Sequence, residues 1–313
     1  MTDVSCAKEC LGAAAPAPTF VDAPAPPDLI TGYVDLHVHT APDVYGRALD
    51  DDEAAVGALR ARMGGIVLKN HAGETASRAE LLARRHGIQA WGGVVLNRSV
   101  GGVNADAVDA AARISGGRGR IAWLPTVDAR QHRRFLNLAV DDGIDVVEKT
   151  KPTADLERVV ATCAQRDIAL CTGHTAADDA LVVAELCRAR GVRCCITHAL
   201  FPIVGCSEAH VAEAVRLGAT IELCAIGTLM GPTAHLPWMR AWGLVDAATC
   251  ARYVATYGPA AFLISSDLGQ SGNPVPADGL RRFVSELGRL GVTGADLDTL
   301  GSTSPQRLIG VRQ

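Results

Sequence analysis

The chain has 313 residues, of which 48% are hydrophobic and 20% are charged, and its formal net charge is −4 at pH 7. This length fits one large α/β barrel, and the apolar fraction is enough for a large core. Nucleic-acid-binding proteins usually carry a basic patch or stripe, so this charge balance argues against a nucleic-acid partner.

Cysteine usage and hydropathy predict a cytoplasmic protein. The ten cysteines lie mostly in apolar runs, where free cysteine behaves as a small hydrophobe, and no CxxC pair has zinc-site spacing. No apolar run reaches the ~18 residues that span a bilayer. Charged residues near the N-terminus argue against a secretory signal, so we expect neither membrane association nor disulfides.

The first 28 residues are rich in alanine and proline, a composition that disfavours helix and sheet interiors. We interpret residues 1–28 as an N-terminal arm and residues 29–313 as one domain. The arm, together with Trp238, Met239 and Trp242, is a candidate interface for a homo-oligomer.

From residue 29 onward, short apolar runs alternate with segments of helical periodicity, as in βαβ units. Helical spacing is clear over 51–63, 75–86 and 178–190. Eight runs are predicted as strands: 34–39, 65–70, 90–96, 121–127, 168–173, 194–198, 219–224 and 262–266. Eight alternating strands favour closure into a (β/α)8 TIM barrel, a fold of the α/β class. A further short run, 144–149, is interpreted as an insertion after the fourth strand.

The first strand ends in His37-Val38-His39, and residues i and i+2 of a strand share one face. Alone, this pair would also fit a strand with one buried and one solvated histidine. In a parallel barrel, however, functional residues lie at the carboxyl ends of the strands. Polar residues end six of the predicted strands: His37 and His39; Lys69, Asn70 and His71; Asn97 and Arg98; His174; His198; and Asp267. Imidazole and carboxylate groups gathered at one barrel mouth predict a site for one or two divalent metal ions, with zinc preferred and manganese or iron as alternatives.

This arrangement resembles the amidohydrolase superfamily of metal-dependent hydrolases, with HxH on strand one, single histidines on strands five and six, and an aspartate after strand eight. The segment Thr303–Val311 is similar to the Asn-Pro-Ala-Arg-Leu-Leu-Gly-Leu segment that closes many members. The runs 67–71 (VLKNH) and 95–104 (VLNRSVGGVN) suggest a little-characterised branch of the superfamily.

The resemblance implies that His37, His39 and Asp267 hold the more buried metal, and that His174 and His198 hold the more exposed one. It also implies that Asp267 accepts a proton from the attacking water, which the cations would acidify.

The chain departs from the superfamily pattern at strand four, which supplies no bridging lysine or glutamate. Candidates elsewhere are Lys69, Glu148, Lys149 and Glu222. We prefer Lys69, because a desolvated lysine has a lowered pKa and can react with CO₂ to give a carbamate. Its alternative roles are a hydrogen-bond donor to substrate or a member of an interior salt bridge.

The remaining candidates concern substrate. His71 is either a further metal ligand or a donor to substrate. Arg98 is either a surface charge or a clamp on a carboxylate or phosphate, and Asn97 and Asn104 are candidates to orient polar substrate groups. No GxSxG nucleophile motif and no phosphate-binding glycine loop is present.

We therefore predict an enzyme, a metal-dependent hydrolase of a small molecule, with the C–N bond of a cyclic or linear amide as the preferred target. Alternatives are a decarboxylase or a phosphoester hydrolase on the same scaffold, and a non-catalytic metal-binding or ligand-binding barrel.

Overall fold

A computed structural model describes residue 26 and residues 28–311 of the chain. The predicted arm over residues 1–28 thus lies almost wholly outside the described residues. All eight predicted strands are present and form one parallel sheet in chain order. They are β1 (Val34–His39), β2 (Gly65–Lys69), β3 (Ala90–Val95), β4 (Gly119–Trp123), β5 (Ala169–Cys171), β6 (Cys194–Ile196), β7 (Thr220–Cys224) and β8 (Phe262–Ser265).

Helices follow the strands and cover the outside of the sheet. They are α1 (Asp51–Arg60), α2 (Ala76–His86), α3 (Ala105–Arg113), α4 (Arg130–Phe135), α5 (Ala154–Arg166), α6 (Ala177–Ala189), α7 (Glu208–Arg216), α8 (Pro237–Trp242), α9 (Ala247–Tyr257), α10 (Pro276–Arg289), α11 (Gly294–Asp298) and α12 (Ser304–Ile309). The three helical segments predicted from periodicity correspond to α1, α2 and α6. No helix in the described part of the chain is long and apolar enough to cross a membrane.

The first and last strands meet and close the sheet into a barrel. The backbone N–H of His39 donates to the carbonyl of Leu268 at 2.9 Å, and Val38 and Leu268 form a parallel bridge. Asp35 strengthens the same seam, because its carboxylate accepts from the backbone N–H groups of Ser266 and His37 at 2.9 and 3.1 Å. The predicted (β/α)8 barrel is therefore confirmed.

Alternation of side chains along the strands divides the core into two layers. The larger layer packs the strands against the surrounding helices. The smaller one fills the barrel with residues such as Val67, Trp91, Val95, Ile121 and Trp123. The polar residues at the carboxyl ends of the strands lie directly above this inner layer.

The interpretation of 144–149 as an insertion is also confirmed. Val147–Glu148 pairs with Lys151–Pro152 in a separate two-stranded antiparallel sheet. The structure limits the predicted homo-oligomer interface, because Met239 and Trp242 are buried within the chain itself. These two side chains are therefore not exposed to a partner, whereas Trp238 is only partly buried, and the homo-oligomer stays a prediction.

Candidate metal centre

Seven residues predicted from the strand ends line a single cavity of about 110 Å³. They are His37, His39, Lys69, His71, His174, His198 and Asp267. The cavity opens at the carboxyl-terminal mouth of the barrel, because every one of these residues lies at or just after the end of a strand.

His37 is oriented by a carboxylate behind it. Its Nδ1 lies 2.9 Å from Oε1 of Glu222, and Ser265 donates its hydroxyl to the same oxygen at 2.7 Å. Burial has the largest single effect on the Glu222 carboxyl and would raise its pKa, but His37, His198 and Lys69 together hold that pKa well below its usual range. An ionised carboxylate only accepts, so Nδ1 of His37 carries a proton, and Nε2 has a free lone pair when the ring is neutral. Such a carboxylate–histidine pair is the usual support of a metal-binding imidazole.

His39 is oriented in the same manner by the backbone. Its Nδ1 lies 3.1 Å from the carbonyl oxygen of Lys69, which can only accept a hydrogen bond. Nη2 of Arg47, which can only donate, lies 3.2 Å from the same Nδ1, so a neutral His39 keeps its Nε2 lone pair when Nδ1 donates to the carbonyl and loses it when Nδ1 accepts from Arg47. On the opposite wall, Nδ1 of His198 lies 3.4 Å from Sγ of Cys224.

The Nε2 atoms of these three histidines all face Asp267. Those of His37 and His39 lie 3.0 and 3.1 Å from Oδ1 of the carboxylate. Nε2 of His198 lies 3.5 Å from Oδ2. Ligand atoms from His37, His198 and Asp267 all fall within 4.8 Å of one another.

Such short contacts between imidazole nitrogens and a carboxylate need either a proton on the nitrogens or a cation beside them, because a bare lone pair and a carboxylate oxygen repel each other. Burial lowers the pKa of His37, but the carboxylates of Asp267 and Glu222 outweigh burial and raise it above its ordinary value. The donor set of buried imidazoles and a carboxylate suits a divalent transition metal ion.

Two of the converging residues have an unusual backbone. His198 and Asp267 adopt φ angles of 56° and 51°, in the left-handed region that non-glycine residues seldom enter. Such strain occurs disproportionately at functional sites, where the surroundings hold it in place. Nearby, a Cβ atom at Gly269 would lie 1.7 Å from the carbonyl oxygen of His39, so only glycine allows the β8 loop to approach β1 this closely.

Lys69 lies beside the same group of atoms. Its Nζ is 2.9 Å from Nε2 of His37, and its side chain is almost fully buried. Burial lowers the pKa of this ammonium group. The other candidates for a bridging ligand lie elsewhere: Glu148 and Lys149 are exposed on the two-stranded hairpin, and Glu222 is committed to Nδ1 of His37.

His174 pairs with a histidine that the sequence did not single out. Nδ1 of His174 lies 2.8 Å from Nδ1 of His132, and the two rings stack with centroids 4.9 Å apart. His132 belongs to α4, lines the cavity and is buried. Burial, assisted by the charge of Arg133, lowers the pKa of His132 to about 4, so its ring is neutral near pH 7.

The surroundings of His71 bear on its two alternative roles. Its Nδ1 lies 2.9 Å from Oγ1 of Thr126. The same Oγ1 accepts a hydrogen bond from Nδ2 of Asn97 at 2.9 Å. Because Thr126 is fully buried, its hydroxyl proton needs an acceptor, and Nδ1 of His71 provides one. This assignment places the proton of His71 on Nε2 and favours donation to substrate over metal binding.

The three residues predicted to bind substrate are not brought to the cavity. Arg98 is half-exposed beside Asp128, with their nearest charged atoms 4.0 Å apart. Asn104 caps α3 by accepting from the backbone N–H of Asp106. Asn97 supports the site indirectly, because its side-chain amide donates to the carbonyl of His71 and to Thr126.

Other residues form the walls of the cavity. Arg47 contributes its guanidinium and is held by an ion pair of 2.6 Å with Asp43. The apolar wall consists of Tyr45, Val127, Leu136, Leu236, Trp238 and Trp242. The only sequence signal for most of these residues is their place in segments that follow a strand, a property they share with many surface residues, whereas Trp238 and Trp242 stand out only as candidates for an interface.

A family model described as a family of unknown function (DUF6282) matches residues 32–222. The chain belongs to this family. The matched segment includes His37, His39, Lys69, His174 and His198, whereas Asp267 lies beyond it. No curated protein matches the chain by sequence.

Solved structures with the same barrel fold include the organophosphorus hydrolase from Deinococcus radiodurans. It is 16% identical, with 95% of this chain and 100% of that chain covered and a TM-score of 0.59. A mutant of a PTE-like lactonase from the same organism is 17% identical, covers 94% of this chain and 100% of its own, and also gives 0.59. A third structure comes from the engineering of organophosphate hydrolysis activity from a weak promiscuous lactonase template. It is 17% identical, with 94% of this chain and 100% of that chain covered and a TM-score of 0.59. At these identities the likeness establishes the fold.

Proposed function

We propose that this protein is a metal-dependent hydrolase of small molecules. The observation that supports this most strongly is the convergence of three imidazole Nε2 atoms on the Asp267 carboxylate, with the far nitrogens of His37 and His39 already bonded to Glu222 and the Lys69 carbonyl. A divalent ion at this point would supply an acidified water and polarise the bond to be cleaved.

The residues around this point have distinct roles in the proposal. Asp267 would help to hold the ion and would accept a proton from the attacking water, since its carboxylate lies 3.0 Å from Nε2 of His37 and 3.5 Å from Nε2 of His198. His174 completes the ligand set. His71, with its proton on Nε2, donates to an oxygen of the substrate.

Lys69 is the proposed bridging group between two ions, in the form of a carbamate. The amine must be uncharged to attack CO₂, and burial favours that form by lowering its pKa. The carbamate would place two oxygens close to Nε2 of His37. Without CO₂, Lys69 remains a hydrogen-bond donor to His37.

The cavity favours a small substrate with an apolar part. Its tryptophan, tyrosine and leucine walls suit such a group, and the metal ligands lie at the polar end. The sequence-based preference for an amide stays a prediction. The barrel relatives named for organophosphate hydrolysis and lactonase activity make a phosphoester or a lactone the second candidate class.

Asp267→Asn tests the proposal against these classes. The metal-loaded protein is assayed with panels of lactones, phosphotriesters, carboxylic esters and cyclic amides. We expect hydrolysis of at least one class, with kcat reduced by about a thousandfold in the variant because the proton acceptor is lost. Asp178→Asn, which changes an exposed aspartate on α6, is the matched control.

The same experiment separates the other candidate functions. If carboxylic acids are added to the panel, release of CO₂ from one of them without hydrolysis of any other compound would identify a decarboxylase. Binding of a panel compound with equal affinity by both proteins, with no turnover in either, would identify a non-catalytic barrel and contradict the proposal.

A further inference from the structure

His132 faces the cavity but belongs to no part of the proposed ligand set. It lies on α4, whereas the proposed ligands lie at strand ends. Its ring stacks on His174 with an interplanar angle of 16°, and Trp242 packs edge-on against both rings at centroid distances of 6.0 and 5.0 Å. The ring is therefore held in a fixed orientation.

The position of one proton decides what His132 can do. The two Nδ1 atoms lie 2.8 Å apart, so one of them must donate and the other accept. If His132 donated, the proton of neutral His174 would sit on its Nε2 and block that nitrogen as a metal ligand. If His174 donates, its Nε2 keeps a lone pair for metal, and the proton of neutral His132 must lie on Nε2.

We infer that His132 is a substrate-binding hydrogen-bond donor, which presents its Nε2–H to an acceptor oxygen of the substrate inside the cavity. This inference rests on the proposed function, because it uses His174 as a ligand through Nε2. Of the two ring nitrogens of His132, Nδ1 has a hydrogen-bond partner within the described part of the chain and Nε2 has none. The residue also lines the cavity.

The inference also narrows the substrate class. Nε2–H groups of His71 and His132 offer two neutral donors around one small cavity. A substrate with two acceptor oxygens, such as a lactone, an imide or a phosphoester, satisfies both donors. A substrate with a single acceptor would leave one buried N–H without a partner, which is unfavourable because the group has lost its water.

Nitrogen-15 NMR of the full-length, zinc-loaded protein reads the tautomer directly, because the two ring nitrogens differ when only one is protonated. The His132 signals are assigned by their loss in His132→Asn, with His86→Asn at the surface as the control. We expect His132 with its proton on Nε2. A proton on Nδ1 in a protein that binds zinc would overturn this inference alone, whereas failure to bind zinc would overturn the proposed function as well.

Two substitutions separate donation to substrate from support of His174. The carbonyl oxygen of an asparagine at 132 can replace the accepting Nδ1, but asparagine has no group that reaches as far as Nε2. We expect His132→Asn to keep zinc affinity within about threefold and to lower kcat/KM by about a hundredfold. His132→Phe should weaken zinc binding as well, by about tenfold. Unchanged kcat/KM in His132→Asn would contradict the inference.

Discussion

Nδ1 of His37 and Oε1 of Glu222 lie 2.9 Å apart inside the barrel, and both side chains are buried. The pair connects β1 with β7 and fixes which nitrogen of His37 turns towards Asp267. The proposed metal centre therefore depends on a residue that need not touch the metal.

Glu222→Gln should weaken metal binding. The amide has no negative charge and can turn its NH₂ towards His37, so the preference for a protonated Nδ1 is lost. We expect metal affinity to fall by about 10- to 100-fold, as found for such supporting groups, in a competition titration with a chelator. Glu213→Gln, which changes an exposed glutamate paired with Arg216, is the matched control. Equal affinities for the two variants would show that Glu222 has no supporting role.

Lys69 should form a carbamate when metal is bound. We expect protein loaded with zinc in ¹³C-bicarbonate to show a carbamate carbon signal in its NMR spectrum, because burial lowers the pKa of the amine and so favours its reactive, uncharged form. Lys69→Arg should lack this signal, since a guanidinium stays charged. If the wild-type protein also lacks it, Lys69 acts only as a hydrogen-bond donor.

Arg47 and Arg98 should respond differently to replacement by alanine. Arg47 pairs with Asp43, and both side chains are nearly inaccessible to solvent, so Arg47→Ala leaves a buried carboxylate unpaired. We expect the free energy of unfolding in urea to fall by about 3 kcal/mol.

Arg98→Ala serves as the comparison, because the side chain of Arg98 is 52% exposed. We expect its unfolding free energy to stay within about 0.5 kcal/mol of the wild type and kcat/KM to be unchanged. A large rise in KM for Arg98→Ala would instead restore Arg98 as a clamp on an anionic substrate.

Metal removal should lower the melting temperature. A ligand present at about a thousand times its Kd stabilises the folded state by about 4 kcal/mol, which corresponds to roughly 8 °C for a chain of this size. We expect EDTA followed by dialysis to produce such a drop in calorimetry, and zinc to reverse it. Identical melting curves before and after chelation would mean that the folded protein gains nothing from metal.

The sequence predicted the barrel and most of the cavity, because the carboxyl ends of parallel strands meet at one edge. This rule alone predicted that six residues would meet in the cavity: His37, His39, Lys69, His174, His198 and Asp267. Residues whose placement depends on the path of a loop were not predictable in this way. Arg98 begins a short 3₁₀ turn that ends at Gly101, whose φ of 90° is left-handed, and its side chain is directed to the surface beside Asp128.

His132 shows the opposite error. It follows β4 by several residues and lies in a helix, so it is not among the strand-end residues from which the site was predicted. Packing of the short α4 brings its ring back over the cavity, in contact with His174 and Trp242. That approach is a property of tertiary packing, which strand and helix periodicity does not encode.

The metal content of the purified protein decides whether the cavity is a metal site. After incubation with zinc, manganese or iron and removal of excess ion, elemental analysis should find at least one equivalent of metal per chain, and two if Lys69 bridges. The double variant His37→Asn, His39→Asn should retain less than a tenth of this amount while its far-ultraviolet circular dichroism is unchanged. Less than about one equivalent in the wild-type protein, under conditions that saturate a metal site, would contradict the proposed metal centre.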